Sequence, residues 1–391
     1  MTMKRVALTG NEAMALAMRQ AKPDVFIGYP ITPASDILSA IAKYVANGEM
    51  EAEFMTPESE HSVASALFGA SSAGARSFTC TASQGLALMH EVLHIISGAR
   101  LPIVISSSSR SLSSPINVHG DHADFMDMRD ASFIQIFSEN SQDSYDNFLQ
   151  GVKIAESVRL PAIISSDGFI TSHNLEPVEV LKDDEAYDFV GEFKPAYSIL
   201  DIQNPITINP LSLPDSFMEI KKSQSDAMAF AKKEIIKTAK EYQKLSGREY
   251  GFFRPYKLKD AEIAIVVMGS TAETAQSVID ELRKKDVKAG ILALRVFRPF
   301  PYLKIAEALK NCKAICIMDR SDGFSGHGGP LFVETSAALY DLKNKPKIIS
   351  RIYGLGGREI NEEMIKSVFE DIKKLSENKK VERYGYVGLK I

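Results

Sequence analysis

The chain has 391 residues, 45% apolar and 25% charged, the proportions of a soluble globular protein with room for two or more domains. Its 46 basic and 50 acidic residues leave a formal charge of −4, which gives no general attraction for nucleic acid. Cys80, Cys312 and Cys316 are too few for a disulfide framework or a four-thiolate cluster, no apolar run approaches the ~20 residues of a membrane span, and residues 1–10 lack a signal-peptide core, so a cytoplasmic home is expected.

Residues 11–20 read as a short helix with Ala13, Met14, Leu16 and Ala17 on one face. Residues 24–28 form an apolar strand that enters the turn Tyr29-Pro30-Ile31-Thr32-Pro33. A helix over 34–45 follows, with Thr32 expected as its cap and Pro33 in its first turn. Strand, tight turn and helix open an α/β unit, and the unit recurs. A strand ending at Pro57 leads to a helix from about Ser62, and a strand over 76–81 to a helix over 85–97. The buried strand 101–105 leads to the serines 106–109 and Arg110. Residues 111–130 read as loop and hold Gly120-Asp121-His122-Ala123-Asp124. A helix over 142–158 and a strand over 161–165, ending at Asp167-Gly168, complete a doubly wound parallel domain over residues 1–180. Such sheets bind ligands beyond the carboxyl ends of their strands. Residues 29–33, Glu60, Ser83 to Gly85, Arg110 and Asp167 are expected to converge there.

Residues 176–214 are rich in proline and acids and read as a connecting arm. Met228, Ala231, Ile235, Ala239 and Tyr242 recur at helical spacing over 217–245, with lysines on a solvated face, so 181–258 is arm plus amphipathic helix. A smaller α/β domain is expected over 259–391. It has strands at 262–268, 287–293 and 314–318, helices at 272–285, 305–309 and 331–342, a turn at 298–301 and a glycine-rich loop at 323–330. Cys312 and Cys316 read as buried structural thiols.

Pro57-Glu58-Ser59-Glu60-His61-Ser62 precedes a run of small residues, Ala64 to Ala75, that lets a helix pack closely on a neighbouring backbone. A carboxylate at the mouth of that helix is shielded from water, and desolvation raises its pKa. Glu58 or Glu60 is therefore expected to stay protonated near neutral pH and to donate a hydrogen bond. The alternative is a helix N-terminus carrying acids for its dipole. His90-Glu91-Val92-Leu93-His94 has zinc-protease spacing, but the chain after it offers no third ligand. Asp121, His122, Asp124 and Asp127 match no calcium loop and read as a polar loop over a crevice. The loop 323–329 lacks the Lys-Ser/Thr pair of a phosphate loop. Ser106 to Ser109 belong to no nucleophile elbow and read as satisfying backbone groups at a strand end. No metal site is assigned to this chain.

Five segments carry a resemblance: Tyr29-Pro30-Ile31-Thr32-Pro33, Glu58-Ser59-Glu60-His61-Ser62, residues 83–91 (SQGLALMHE), Gly120-Asp121-His122-Ala123-Asp124 and residues 295–301 (RVFRPFP). They resemble the α subunit of 2-oxoacid:ferredoxin oxidoreductases, above all the pyruvate type (pyruvate synthase), over nearly the whole chain. The resemblance absorbs the His90-Glu91 pair. It implies a pyrimidine-type thiamine domain followed by a domain similar to the transketolase C-terminal domain, which braces the assembly. It also implies thiamine diphosphate, Mg²⁺, 4Fe–4S clusters and coenzyme A. Pyruvate then loses carbon dioxide, electrons pass singly to the clusters and on to ferredoxin, and the acyl group passes to coenzyme A, or the sequence runs in reverse.

By the same resemblance, Glu60 is the acid against N1′ of the aminopyrimidine, with Glu58 as the other choice. Tyr29, Pro30 and Ile31 line the cofactor, Thr32 contacts the substrate, and Arg110 pairs with the substrate carboxylate, for which a planar bidentate donor is suited. A surface salt bridge is the plainer reading of Arg110. The Gly-Asp-Gly and following Asn that hold diphosphate and Mg²⁺ in thiamine enzymes are absent, and Gly120-Asp121-His122 departs from them. The diphosphate, the metal and the clusters are therefore expected on β, γ and δ partner subunits of a hetero-oligomer. A branched-chain 2-oxoacid or 2-oxoglutarate enzyme, and a non-catalytic α/β assembly subunit, stay open.

Overall fold

Apolar strands of three to six residues alternate with helices along most of the chain, the pattern that builds parallel sheets covered on both faces. The computed structural model describes residues 3–324 and 326–390; Ser325, in the glycine-rich loop, and residues 1, 2 and 391 lie outside the described residues. In chain order the first part runs β1 (Lys4–Leu8), α1 (Gly10–Gln20), β2 (Val25–Ile27), α2 (Ser35–Ala46), β3 (Glu53–Met55), α3 (Glu60–Ser72), β4 (Ser77–Thr81) and α4 (Ser83–Gly98). It continues with β5 (Val104–Ser109), α5 (Ala123–Asp127), β6 (Ile134–Ser138), α6 (Ser141–Val158), β7 (Ala162–Asp167), β8 (Glu176–Val180), α7 (Asp183–Val190) and α8 (Pro214–Ser246). The remainder is β9 (Phe253–Tyr256), β10 (Ile263–Met268), α9 (Thr271–Lys284), β11 (Ala289–Leu294), β12 (Val296–Arg298), α10 (Tyr302–Leu309), β13 (Ala314–Asp319), α11 (Pro330–Ala338), β14 (Lys347–Ile352), α12 (Glu362–Ser376) and β15 (Tyr384–Tyr386).

The first large sheet has the order β12-β6-β7-β5-β4-β2-β3, parallel except for the edge strand β12. The second has the order β15-β14-β13-β10-β11-β9, parallel except for β9. β1 and β8 form a separate antiparallel ribbon. The doubly wound α/β reading therefore stands, with corrections. The turn read at 298–301 begins in β12, which joins the sheet of the first part. The arm read over 176–214 contains β8 and α7, and α8 starts at Pro214. β6, a strand inside the first sheet, was not read from the sequence. α2 begins at Ser35 with Ala34 before it and no side-chain cap, so Thr32 does not cap this helix.

Three apolar clusters fill the layers. The middle one contains Ile105, Phe125 and Phe137 from the first part with Ala264, Val266 and Leu292 from the second. The two sheets thus share a core and are not independently covered. All three cysteines are buried free thiols, as read for Cys312 and Cys316. No helix among the described residues is long and apolar enough to cross a membrane.

A polar lock sits at the same boundary. Asp167, at the end of β7 and fully buried, accepts from His122 Nε2 and Arg320 Nη1, each at 2.9 Å, and from the backbone N–H and hydroxyl of Ser270, each at 2.8 Å. Burial alone would raise the Asp167 pKa, but Arg320 and His122 together hold it below the usual carboxylate range. Asp167 therefore does not face a ligand crevice, contrary to expectation; its oxygens are occupied across the sheet boundary. A depressed folded pKa contributes stability above the unfolded value of about 3.9, lost as pH falls towards the folded value. Asp167→Asn should lower stability at pH 7 by about 3–5 kcal/mol, because Arg320 is left buried without its counter-charge. The urea midpoints of the two proteins should draw together below about pH 4.

Candidate functional site

The tip of β2 feeds the turn expected at the site. Tyr29 is half-buried against the middle cluster and Ile31 against the outer one, while Pro30 and Thr32 are exposed. The main chain of this turn is held from below: Asn11 Nδ2 donates to Pro33 O at 2.8 Å, and Asn11 Oδ1 accepts from Ser108 Oγ at 2.7 Å.

Glu58 and Glu60 part company because of helix phase. Ser59 is the N-cap of α3 and accepts from the Ser62 N–H, which makes Glu60 the first helical residue and leaves Glu58 outside. Glu58 is exposed and accepts from the Ser62 hydroxyl, which holds its pKa below the ordinary value. That is opposite to the shift expected for a shielded acid, and it removes Glu58 from consideration. Glu60 is 8% exposed, and among the described residues no group hydrogen-bonds to its carboxylate. It lies over the first turn of α4. A Cβ built on Gly85 would sit 2.6 Å from Glu60 Oε1 and 2.6 Å from Thr81 Oγ1. The Thr81 hydroxyl is itself buried without a partner. The close approach thus lies at Gly85 and not along the small-residue run of α3, where Ser65 and Gly69 are exposed and a Cβ on Gly69 meets nothing.

Arg110 follows the last residue of β5. Its side chain donates from Nη1 to Thr32 O at 2.9 Å and from Nε to Asn117 O at 2.8 Å. Nη2 has no partner among the described residues. The surface salt-bridge reading fails, since Arg110 is 7% exposed and bonded to carbonyls. The structure thus brings Thr32 and Arg110 together directly. It links them to Glu60 only through a chain of contacts: Glu60 over Gly85, then α4 from Ser83, then Asp124, then the Arg110 backbone.

Asp121, His122 and Asp124 are all buried; Asp121 and Asp127 line a cleft, as read for a polar loop over a crevice, whereas His122 and Asp124 do not. Asp121 accepts from the Gly356 and Ala123 backbone amides, His122 pairs with Asp167, and Asp124 accepts from Ser83, Ser109, Arg110 and Phe125. Ser108 and Ser109 lie within β5, and their hydroxyls serve Asn11 and Asp124 instead of capping backbone. Asn11 and Asn117 escaped sequence reasoning as site residues, whereas Gly85 was among those expected at the crevice. Only the glycine in Ser83-Gln84-Gly85 carried a signal, the need for close approach.

The remaining decoys resolve. His90 Nδ1 meets Asp127 at 3.0 Å, His90 and His94 Nε2 lie 3.1 Å apart, and Glu91 turns to His61. Among the described residues no group of three His, Cys, Asp or Glu side chains is arranged to hold a metal ion. At the glycine-rich loop, Asp319 accepts from the Leu331 and Phe332 amides at 2.7 and 3.1 Å. A carboxylate of the chain itself thus occupies the start of α11, where a phosphate would bind. A cleft of about 820 Å³, lined among others by Asp121, Asp127, Phe324 and Gly356, does not include Glu60, Thr32 or Arg110.

Comparison with known proteins places these residues in context. Residues 16–240 match a family model described as pyruvate flavodoxin/ferredoxin oxidoreductase, thiamine diP-bdg, and residues 261–365 match pyruvate:ferredoxin oxidoreductase core domain II. The chain is 45% identical to the pyruvate synthase subunit PorA of Thermotoga maritima, over 99% of this chain and 98% of that one. It is 38% identical to the ketoisovalerate oxidoreductase subunit VorA of Pyrococcus abyssi, over 96% and 95%. Among solved structures, a 2-oxoglutarate:ferredoxin oxidoreductase from Magnetococcus marinus, with 2-oxoglutarate, coenzyme A and succinyl-CoA bound, superposes with a TM-score of 0.72 at 18% identity. The match covers 94% of this chain and 65% of that one. A split-gene transketolase, described as an inactive β4 tetramer, superposes with a TM-score of 0.55 at 12% identity, covering 95% and 100%. The last two likenesses are of fold.

The residues fit a thiamine cofactor on two observations of this chain: a buried carboxylate without a hydrogen-bond partner among the described residues, and a glycine beneath it that no side chain could replace without displacing that carboxylate. Gly85→Ala should therefore push the flexible end of Glu60 aside and leave the packing of α3 on α4 intact. A crystal structure of the variant is expected to show Glu60 in another rotamer, with a melting temperature within a few degrees of the parent.

Proposed function

The chain belongs to the pyruvate:ferredoxin oxidoreductase family, and from that premise we propose that it lends Glu60, Thr32 and Arg110 to the oxidative decarboxylation of pyruvate. Coenzyme A is the acyl acceptor and ferredoxin the electron acceptor, and the same site serves the reverse synthesis. The reading is carried by Glu60, a carboxylate only 8% exposed that has no hydrogen-bond partner among the described residues.

Thiamine diphosphate, when bound, supplies the nucleophilic carbon and the electron sink. Glu60 holds a proton at N1′ of the aminopyrimidine, and Tyr29, Pro30 and Ile31 form the wall beside it. Thr32 and the unpaired Nη2 of Arg110 take the 2-oxoacid, the guanidinium at its carboxylate. Asp121 is engaged with the Gly356 and Ala123 amides, which supports placing the diphosphate and Mg²⁺ on a partner chain. Three buried free thiols support the same for the 4Fe–4S clusters and suit a cytoplasmic, reducing compartment. The partners are β, γ and δ subunits.

In the complex reconstituted with its partner chains, Glu60→Gln is expected to lower pyruvate-dependent ferredoxin reduction by about 10²–10⁴-fold without changing the melting temperature. A variant that keeps the full rate overturns the assignment. Pyruvate should show a higher kcat/KM than 2-oxoisovalerate or 2-oxoglutarate; preference for 2-oxoisovalerate would transfer the chain to the branched-chain type.

A further inference from the structure

Asp124 stands where three elements meet, 1% exposed. Its Oδ1 accepts from the Ser109 hydroxyl at 2.5 Å and the Phe125 N–H at 2.7 Å. Its Oδ2 accepts from the Ser83 N–H at 2.7 Å and the Arg110 N–H at 3.0 Å. Ser83 opens α4 with φ of 51°, in the left-handed region that side chains disfavour. The N-cap of α4 is Ala82, which has no oxygen to offer its first amides. Asp124 supplies that oxygen from the first turn of α5. Two residues further on, Gly85 lies under the Glu60 carboxylate.

We infer that Asp124 is a positioning residue for the 2-oxoacid: by accepting the Ser83 and Arg110 amides on one oxygen, it sets the Glu60–Gly85 turn in register with the Arg110 guanidinium. This rests on the reading of Glu60 and Arg110 given above. The geometry requires a carboxylate. An asparagine here presents its NH₂ either to the Phe125 amide or to the Ser83 and Arg110 amides, so a buried donor is left unpaired whichever way it turns. Burial pushes the Asp124 carboxyl up to about 6, and the hydroxyl and amide donors keep it from rising further. It is thus ionised at neutral pH, as an acceptor of four donors must be.

The test compares Asp124→Asn, Ser109→Ala and Arg110→Lys in the reconstituted complex. Asp124→Asn is expected to lower kcat/KM for pyruvate by about ten- to hundredfold, mostly through KM. It should weaken by a similar factor the binding of oxamate, a non-reacting pyruvate analogue, titrated by calorimetry. Ser109→Ala, which removes one donor and keeps the carboxylate, moves both in the same direction by less, and it carries the test if the asparagine variant does not fold. If Arg110→Lys changes neither pyruvate KM nor oxamate affinity, the reading of the site fails and this inference with it. If Arg110→Lys raises KM while the Asp124 and Ser109 variants leave oxamate affinity unchanged, the positioning role alone is overturned. A fall in melting temperature and kcat with unchanged oxamate affinity also overturns it, as a purely structural role.

Discussion

Burying Asp167 strips a carboxylate of water, and the fold offsets that loss by bringing Arg320 and His122 to it from opposite sides of the sheet boundary, with Ser270 donating twice more. The pairing fixes more than the two sheets. His122 belongs to a loop whose other polar members point elsewhere: Asp121 to the Gly356 amide of the second part, Asp124 to α4 and to the Arg110 backbone. Residues 120–124 therefore lie between the second sheet and the site. Gly120 lets this loop settle on the backbone of Gly168, where a Cβ would come within 2.5 Å of the carbonyl oxygen. The second α/β unit thus bears on Arg110 through this loop and through Asn117, which donates to Gly356 O and accepts from Arg110 Nε.

The two site groups are unfinished in complementary ways. A buried carboxylate without a partner is costly, and a guanidinium with one unpaired nitrogen offers a directed donor. Although Arg110 Nε and Nη1 tie the chain together at Asn117 and Thr32, the Glu60 carboxylate and Arg110 Nη2 make no hydrogen bond among the described residues. Their separation is set by main-chain contacts, with Asn11 under the 29–33 turn and Asp124 under Arg110. Backbone anchoring leaves the functional side-chain atoms free.

Strands such as 161–165 and the strand–turn–helix unit over 24–45 were legible because their apolar runs and turn residues are local. Glu60 was legible through its motif, although the choice between Glu58 and Glu60 needed the helix phase set by Ser59. The strand β12 was not legible: Val296 and Arg298 pair with Ile136 and Gln135, about 160 positions earlier, and no local periodicity encodes that. The partners of the loop 120–124 were hidden for the same reason: Asp121 accepts from the Gly356 amide, 235 residues on, and no local pattern encodes that contact.

Burial acts alike on Asp167 and Asp124, and the partners decide the outcome. Asp167 faces a guanidinium and an imidazole, so its charge is secured and its pKa falls. Asp124 makes no ion pair among the described residues; hydroxyl and amide donors bring it only to about 6, with Asp121 nearby opposing its charge. The lock between the sheets therefore stays ionised across the neutral range. Asp124 sits within reach of that range, because its donors are neutral and bring no counter-charge.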